Sequence, residues 1–365
     1  ALGIVRILGR RGISSVVIDE TSRCIARRSR YCRAFYRVSN DELHGFLDSK
    51  TFMSDHEGWV IFPTNDFHVR MLSRNRDELN RHYRVSTDSS EVTDIFYNKI
   101  NTYRLADKTG IPIPLTFFPE GADDLEDAAI PFPCIVKPAV MYDFYRKTGK
   151  KVFFCNNRDE LRAAYDRALK VIPAAEIIIQ EVIPGDGRDQ FSACFLYLGG
   201  RKYTTLTVCR MRQHPVDFGN ATTYAEVSDS PEPEQYGERL LQAAGYNGLC
   251  EVEFKRDARD GTFRLLEVNP RTWKWHIIAE KTGTPFIPLL FDHLAGLPVV
   301  PAEGYSKASF CHAATDIPVR LALLFRGAGY WNRRVRPVQD AVWAPDDPAP
   351  WFFEKLYLPD FIINR

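Results

Sequence analysis

Residues 249–271 read LCEVEFKRDARDGTFRLLEVNPR, and the acids in this stretch recur at spacings suited to holding a cation. The run parses as two strands around Arg259-Asp260-Gly261, because Asp-Gly between β-prone segments is a strong hairpin signal. A turn centred on Asp260 sets Glu253 opposite Glu267 and Glu251 opposite Asn269, all on one face, since strand side chains alternate. The other face then carries Cys250, Val252 and Phe254 against Leu266 and Val268, with Arg264 near the turn. Like charges directly opposed in a sheet are destabilising, so the acidic face asks for a counter-charge. A hard divalent cation with oxygen ligands, such as Mg²⁺ that also holds substrate phosphates, meets that demand. The plain alternative is a solvated acidic face.

Other polar residues sit where strands end. In FPCIVKPAV the apolar strand Cys134, Ile135, Val136 ends in Lys137, fixed by Pro138, and a compact cation there suits a phosphate or a base nitrogen; a lysine snorkelling to solvent is the alternative. In EIIIQEVIPGDGRDQF the run Ile177 to Ile179 passes into Gln180, Glu181, Val182 and Ile183 and breaks at Pro184-Gly185. Such a strand-to-linker junction offers backbone N–H and C=O groups to the edge of an adenine, and Asp189 just beyond can accept from ribose hydroxyls. In TVCRMRQHPVDFG, Arg210 and Arg212 alternate on one strand face, and a planar guanidinium binds carboxylate or phosphate through two bonds. Structural salt bridges are the competing reading for both.

The elements that must position these residues fit 365 residues with 26% charged and 45% hydrophobic side chains, enough for two or three domains with real cores. A net charge of +1 gives no global electrostatic case for nucleic acid or an anionic membrane, and no apolar run approaches a spanning helix. The eight cysteines are scattered without metal-binding spacing, several inside apolar runs, which favours a reduced, cytoplasmic setting. The opening ALGIVRILGRRGISSVVIDE reads as a helix under way, a Gly12 stop and a strand from Ser15 to Ile18. A doubly wound α/β unit would begin with a strand and a glycine turn, so the reading is a Rossmann-like domain that lacks its first strand. A strand from Trp59 to Phe62 and a polar helix to Arg81 continue the alternation. From Tyr97, a helix is halted by Gly110 and two prolines. Later come a strand Val152 to Phe154 and a helix Arg158 to Lys170. Trp273 and Trp275 wall a pocket or, more simply, pack a core. The tail from Pro301, with WAPDDPAPWFF, reads as an irregular extension.

Six of these segments, PTND, NKINTYRLADKTGIPIP, FPCIVKP, QEVIPG, the EVEFKRD hairpin and LEVNPR, follow one another between about Ile61 and Gly296. In that order the chain resembles the ATP-grasp superfamily of carboxylate-amine ligases, and most closely its D-aspartate-ligase-like branch. The resemblance implies an α/β protein with a truncated Rossmann-like domain over 1–95, two α+β subdomains over 96–183 and 184–300 that clamp ATP, and a C-terminal extension over 301–365. It implies that Lys99 and Lys137 contact the phosphates and base of ATP, that Glu181 and Ile183 meet adenine through their backbone, and that Asp189 holds the ribose. Glu253, Glu267 and Asn269 match the metal-binding acid, acid and amide for Mg²⁺ or Mn²⁺, and Arg271 matches an arginine near the transferred phosphoryl group.

The implied chemistry is activation of a carboxylate by ATP to an acylphosphate that an amine attacks, with release of ADP and phosphate. Two metal ions shared by Glu253, Glu267 and Asn269, with Arg210, Arg212 and Arg271, would neutralise charge on the moving phosphoryl group. Many members cover the phosphates with a glycine-rich loop, whereas AVMYDFYRKTGKK offers Arg146, Lys147, Lys150, Lys151 and a single Gly149. That segment is read as a basic loop, either closing over the γ-phosphate or solvated. Phosphoryl transfer of the kinase type and a non-catalytic ATP-binding protein stay open, as does a homodimer. The expected partners are small-molecule carboxylate and amine substrates.

Overall fold

The computed structural model describes residues 1–127, 129–214, 216, 221–326 and 335–363. The chain opens with a helix, Leu2–Arg10, whose apolar residues Leu2, Ile4, Val5, Ile7 and Leu8 are buried. Gly12 has φ of +78°, a left-handed turn that side chains disfavour, and it redirects the chain into β1 (Ser15–Asp19). β1 pairs in parallel with β2 (Cys32–Arg37), and β3 (Val60–Ile61) in parallel with β4 (Arg84–Val85), each pair joined by helical crossovers as parallel pairing requires. The helix expected to run to Arg81 is two helices, Asp66–Arg74 and Arg76–Leu79. Asn75 interrupts them, its side chain bonding back to Met71 O at 2.8 Å in competition with the helix ladder.

After the helices Ser90–Tyr97 and Lys99–Lys108, a four-stranded antiparallel sheet forms from β5 (Thr116–Phe117), β6 (Cys134–Pro138), β7 (Phe153–Cys155) and β8 (Ile177–Glu181), in the order β5-β8-β6-β7. Helix Arg158–Leu169, capped by Asn157, lays Leu161, Ala164, Tyr165 and Ala168 on this sheet. The segment read as a basic loop is instead a helix, Met141–Thr148, closed by Gly149 in the left-handed conformation. Its one fully buried residue, Phe144, packs against Phe153 at 5.6 Å. That apolar anchor is what turns a polar, basic stretch into an ordered helix.

The largest sheet has seven strands: β9 (Gln190–Leu198), β10 (Arg201–His214), β11 (Ala221–Val227), β12 (Gly248–Arg256), β13 (Phe263–Asn269), β14 (Ser309–Cys311) and β15 (Val338–Asp340), ordered β13-β12-β9-β10-β11-β14-β15. Both faces are covered, so β9 is buried almost throughout. Ala193, Phe195 and Tyr197 join the core beneath helix Pro231–Ala243, while Cys194, Leu196 and Leu198 join Trp273, Trp275 and Phe286 on the other side. Trp273 and Trp275 are therefore core residues, their rings 5.3 Å apart.

The tail from Pro301 is not irregular. Two of its segments complete the large sheet, β14 antiparallel to β11 and β15 parallel to β14, while helix Ala313–Phe325 packs on β10 and β11 and helix Ala349–Ile363 on the short helix Ile25–Arg28. Buried Asp347 ties this region to the first helix through Arg6 at 2.9 Å. Among the described residues, no helix is long and apolar enough to cross a membrane.

Candidate active site

A cleft of about 1450 Å³ opens between the four-stranded sheet, the hairpin β12–β13 and the start of helix Asp66–Arg74. From the four-stranded side come two lysines. Lys137, near the end of β6 and 7% exposed, donates to Tyr103 Oη and to Gln180 Oε1, each at 2.7 Å. Both acceptors are neutral, so the buried ammonium has room for an anion. Lys99 begins a helix capped by Asn98 and reaches across to Glu267 Oε2 at 2.8 Å. Next to the lysines, Gln180, Glu181, Val182 and Ile183 line the cleft as β8 runs into its linker. The Glu181 N–H is already used by Leu115 O and the Val182 N–H by Pro133 O. The Ile183 N–H has no backbone acceptor among the described residues, which leaves it for a ligand. The Glu181 carboxylate is spoken for: it accepts from Leu115 N and from Arg259, the hairpin-turn residue, both at 2.8 Å.

From the hairpin come the acids. The pairing sets Glu251 opposite Asn269 and Glu253 opposite Glu267, as the turn position requires. Beyond Glu253 the register shifts, so Phe254 pairs with Leu265 rather than Leu266. Leu265 fills the core, and the displaced Leu266 lines the cleft and gives its carbonyl to Tyr103 Oη at 2.7 Å. A β-bulge is the cause, one extra residue on β13. It is invisible to strict alternation.

The opposed acids do not face one cation together. Glu267 is held at about pKa 2 by the Lys99 ammonium, against the upward push of burial. Burial opposes the charge on Lys99, but Glu267 outweighs it and lifts the lysine above its usual range. Glu253 instead receives Arg210 and Gln190 on one oxygen, each at 3.0 Å, and Asn269 Nδ2 on the other at 3.0 Å. Glu251, 3% exposed, accepts from Asn269 Nδ2 at 3.2 Å, and burial, with the Glu253 charge behind it, pushes its carboxyl up to about 8. Among the described residues its Oε1 has no hydrogen-bond partner, and neither has Arg210 Nε.

These oxygens suit a hard divalent cation, and an unpartnered buried carboxylate oxygen beside Glu253 and Asn269 is a reason for one. Among the described residues no three His, Cys, Asp or Glu side chains converge at metal-binding distance. A cation here takes much of its shell from phosphate and water, as Mg²⁺ ordinarily does.

The arginines divide. Arg210 lines the cleft and bridges β10 to Glu253. Arg271 holds Asp66 through Nε at 2.5 Å and Asn269 Oδ1 through Nη2 at 3.0 Å. Arg212 lines the cleft as well, but its charge is already matched. Both its bonds run to the carboxylate of fully buried Asp316, at 2.7 and 2.9 Å, and its guanidinium lies 4.2 Å from the Tyr224 ring. A bidentate buried pair of this kind fixes helix Ala313–Phe325 to the sheet, so Arg212 meets the cleft as a charge-matched group. Asp189, by contrast, does not line the cleft: it closes a capping box with Asp186 and pairs with Arg256 at 2.9 Å, while Asp186 and Gln190 line the cleft at that place. His214 is exposed at the end of β10, and positions 215 and 217–220 of its motif lie outside the described residues.

Three site residues escaped the sequence reading. Tyr103 links Lys137 to Leu266 O; its signal was spacing, four residues after Lys99 and so on the same helix face. Asp66 was seen only as part of a turn. Tyr142, on helix Met141–Thr148, packs its ring at a tilt against Phe67 with centroids 4.8 Å apart, and no local pattern announces a contact between residues 75 positions apart in sequence.

Comparison with known proteins bears on this geometry. Residues 234–294, which span the hairpin, match the family model of the carbamoyl-phosphate synthase L chain, ATP binding domain. The arginine-specific carbamoyl phosphate synthase large chain of Geobacillus stearothermophilus is 26% identical over 230 residues, 59% of this chain and 20% of that one. D-aspartate ligase of Enterococcus faecium is 20% identical over 245 residues, 62% of this chain and 56% of the ligase. The chain thus spans little more than half, or much less, of these relatives' length. Biotin carboxylase of Campylobacter jejuni, solved as a β,γ-ATP complex, superposes with a TM-score of 0.65 at 15% identity, over 84% of this chain and 72% of that one. The chain is thus similar in fold to biotin carboxylase, and in sequence, over the acidic hairpin and its surroundings, to an ATP-binding domain and to ligases of the ATP-grasp type.

Proposed function

We propose that the chain is an ATP-dependent ligase that joins a carboxylate to an amine. The observation that carries this reading is the convergence, in one cleft, of Lys137 from the small sheet and Lys99 from its helix with two acids and an amide of the hairpin and the arginine just after it. ATP enters with its base against the Gln180–Ile183 linker, where the Ile183 N–H is free to donate. Lys137 and Lys99 lie along its phosphates. For Lys99 this means exchanging part of its bond to Glu267 for a phosphate oxygen. A divalent cation held by Glu253, Glu267 and Asn269 would neutralise the phosphates.

The reaction needs no protein nucleophile. The substrate carboxylate attacks the γ-phosphorus, the bond to the β-phosphate breaks, and ADP leaves; an amine then attacks the acyl carbon, phosphate leaves, and the amine loses its proton. What the chain supplies is alignment and charge. Arg271 and Arg210 neutralise the transferred group, and Tyr142, Tyr145, Arg146 and Lys151 of helix Met141–Thr148 and the bend after it close the phosphate end. This lid works with cations and aromatic rings where a glycine loop would use backbone N–H groups.

The reading is tested by an ADP-release screen that crosses amino acids and small carboxylates with amines, with and without Mg²⁺. ADP formed only when both partners are present selects ligation. ADP formed with a hydroxyl acceptor alone selects a kinase, and tight MgADP binding with no turnover selects a nucleotide-binding protein.

A further inference from the structure

The turn Asn65-Asp66-Phe67 belongs to the N-terminal domain, yet it reaches both walls of the cleft. Asn65 fixes the turn by capping its own helix at His68 N, 2.8 Å away. Asp66 takes the Arg271 fork: Oδ1 accepts from Nε at 2.5 Å and Oδ2 from Nη2 at 3.4 Å. The same Nη2 donates to Asn269 Oδ1 at 3.0 Å, and Nη1 donates to Thr272 O at 3.1 Å. Phe67 packs at a tilt against Tyr142 of helix Met141–Thr148, 4.8 Å and 30° between rings. One short turn thereby touches the hairpin and that helix.

We propose that Asp66 is a positioning residue for the reaction centre, setting the direction of the Arg271 guanidinium and, through it, of the Asn269 amide. The inference rests on the ligase reading for its rate readout only. The Asp66 side chain is 49% exposed, and an ion pair at such a site contributes little to stability. Its geometry, by contrast, is specific. Arg271 follows a strand end by two residues, and its long side chain has several rotamers open to it unless something fixes one. Asp66 occupies the Nε and Nη2 edge, which leaves an N–H on Nη1, beyond its bond to Thr272, for the substrate side of the cleft. The packing of Phe67 on Tyr142 holds the turn while it does so.

The test uses the whole chain with Asp66→Asn, which keeps shape and loses charge, and Asp66→Glu, which keeps charge. With a substrate pair found by the screen, D66N lowers kcat by about 30-fold, as a misdirected charge at a reaction centre does. KM for ATP and MgADP affinity stay within about threefold, and Tm within about 3 °C. D66E recovers a third or more of the parental kcat. A D66N kcat within about threefold of the parent overturns the inference, as does a loss of kcat that tracks an equal loss of Tm and MgADP affinity. Should the parent turn over no substrate pair, the ligase reading falls, and the clamp is decided by nitrogen NMR of the Arg271 Nε–H. A slowly exchanging resonance in parent and D66E that D66N loses upholds it. The same resonance unchanged in D66N overturns it.

Discussion

Lys99 and Glu267 meet at 2.8 Å across the cleft, one from the helix that opens the small sheet's domain and the other from the acidic hairpin. The contact means that Glu267 and Glu253, opposed in register, do not repel each other through a shared space. One faces a lysine and the other an arginine. On the proposed reading, phosphates entering the cleft would compete with Glu267 for Lys99.

Glu267→Gln is therefore expected to abolish ADP formation, by about a hundredfold or more, without the gain in stability that relief of a like-charge pair would bring. It loses a partly screened ion pair, so a small destabilisation of no more than about 1 kcal/mol is expected. The sign with pH follows from the depressed carboxyl: its contribution is present above the ordinary value of 4.5 and is lost as pH falls toward about 2. Melting curves of parent and variant between pH 7 and pH 2.5 should converge at the acid end. A turnover rate within twofold of the parent at saturating Mg²⁺ would show that the acidic face is merely solvated.

How much of this was legible in the sequence differs by element. The hairpin register followed from Asp260-Gly261 alone, because two-residue alternation and a turn signal fix which residues oppose. The bulge that puts Leu265 in the core and Leu266 in the cleft did not, since a local extra residue leaves no pattern. Helix Met141–Thr148 was missed because its helical character comes from one tertiary contact, Phe144 on Phe153, and its composition reads as a loop. Arg212 and Asp189 look like ligand groups in sequence. Their partners, Asp316 and Arg256, lie 104 and 67 residues away, and only the folded chain shows that these charges are already matched.

Lys137 is buried against two neutral oxygens, and nucleotide binding should depend on it. Lys137→Ala removes the buried ammonium of β6 and leaves Tyr103 Oη and Gln180 Oε1 without the donor they share. Loss of a desolvated charge partner costs about 2 to 4 kcal/mol, so ATP affinity should fall by more than tenfold. Calorimetric titration of the folded variant decides it, and an unchanged dissociation constant would count against the phosphate assignment.

Glu251 should make the metal-free chain less stable as pH rises. Burial, reinforced by the neighbouring Glu253 charge, lifts its folded value to about 8, so the native chain holds a proton that the unfolded chain releases above 4.5. Stability from this group is full below pH 4.5 and is lost as pH rises through about 8. Glu251→Gln cannot ionise and should flatten that decline. Urea titrations at pH 5, 6.5 and 8 in chelator measure it. Parallel slopes for parent and variant would mean that Glu251 is ionised in the native state.

The last expectation concerns a buried pair outside the cleft. Arg6 in the first helix donates to Asp347 Oδ2 at 2.9 Å, to Asp347 O at 2.6 Å and to Val342 O at 2.7 Å. Asp347 also accepts from Ser29 Oγ at 2.7 Å and Arg30 N at 2.9 Å. Asp347→Ala strips the counter-charge from a guanidinium that is 5% exposed, and an uncompensated buried charge costs about 3 to 5 kcal/mol. Replacing both partners together, Arg6→Met with Asp347→Leu, removes the charge as well as its mate and should cost far less. Because the pair joins the first helix to the C-terminal region and lines no part of the cleft, MgADP affinity of either folded variant should match the parent. Urea titration of the single and double variants measures the coupling. A single variant within about 1 kcal/mol of the parent would show that the C-terminal region is held by its strands β14 and β15 and not by this charge pair.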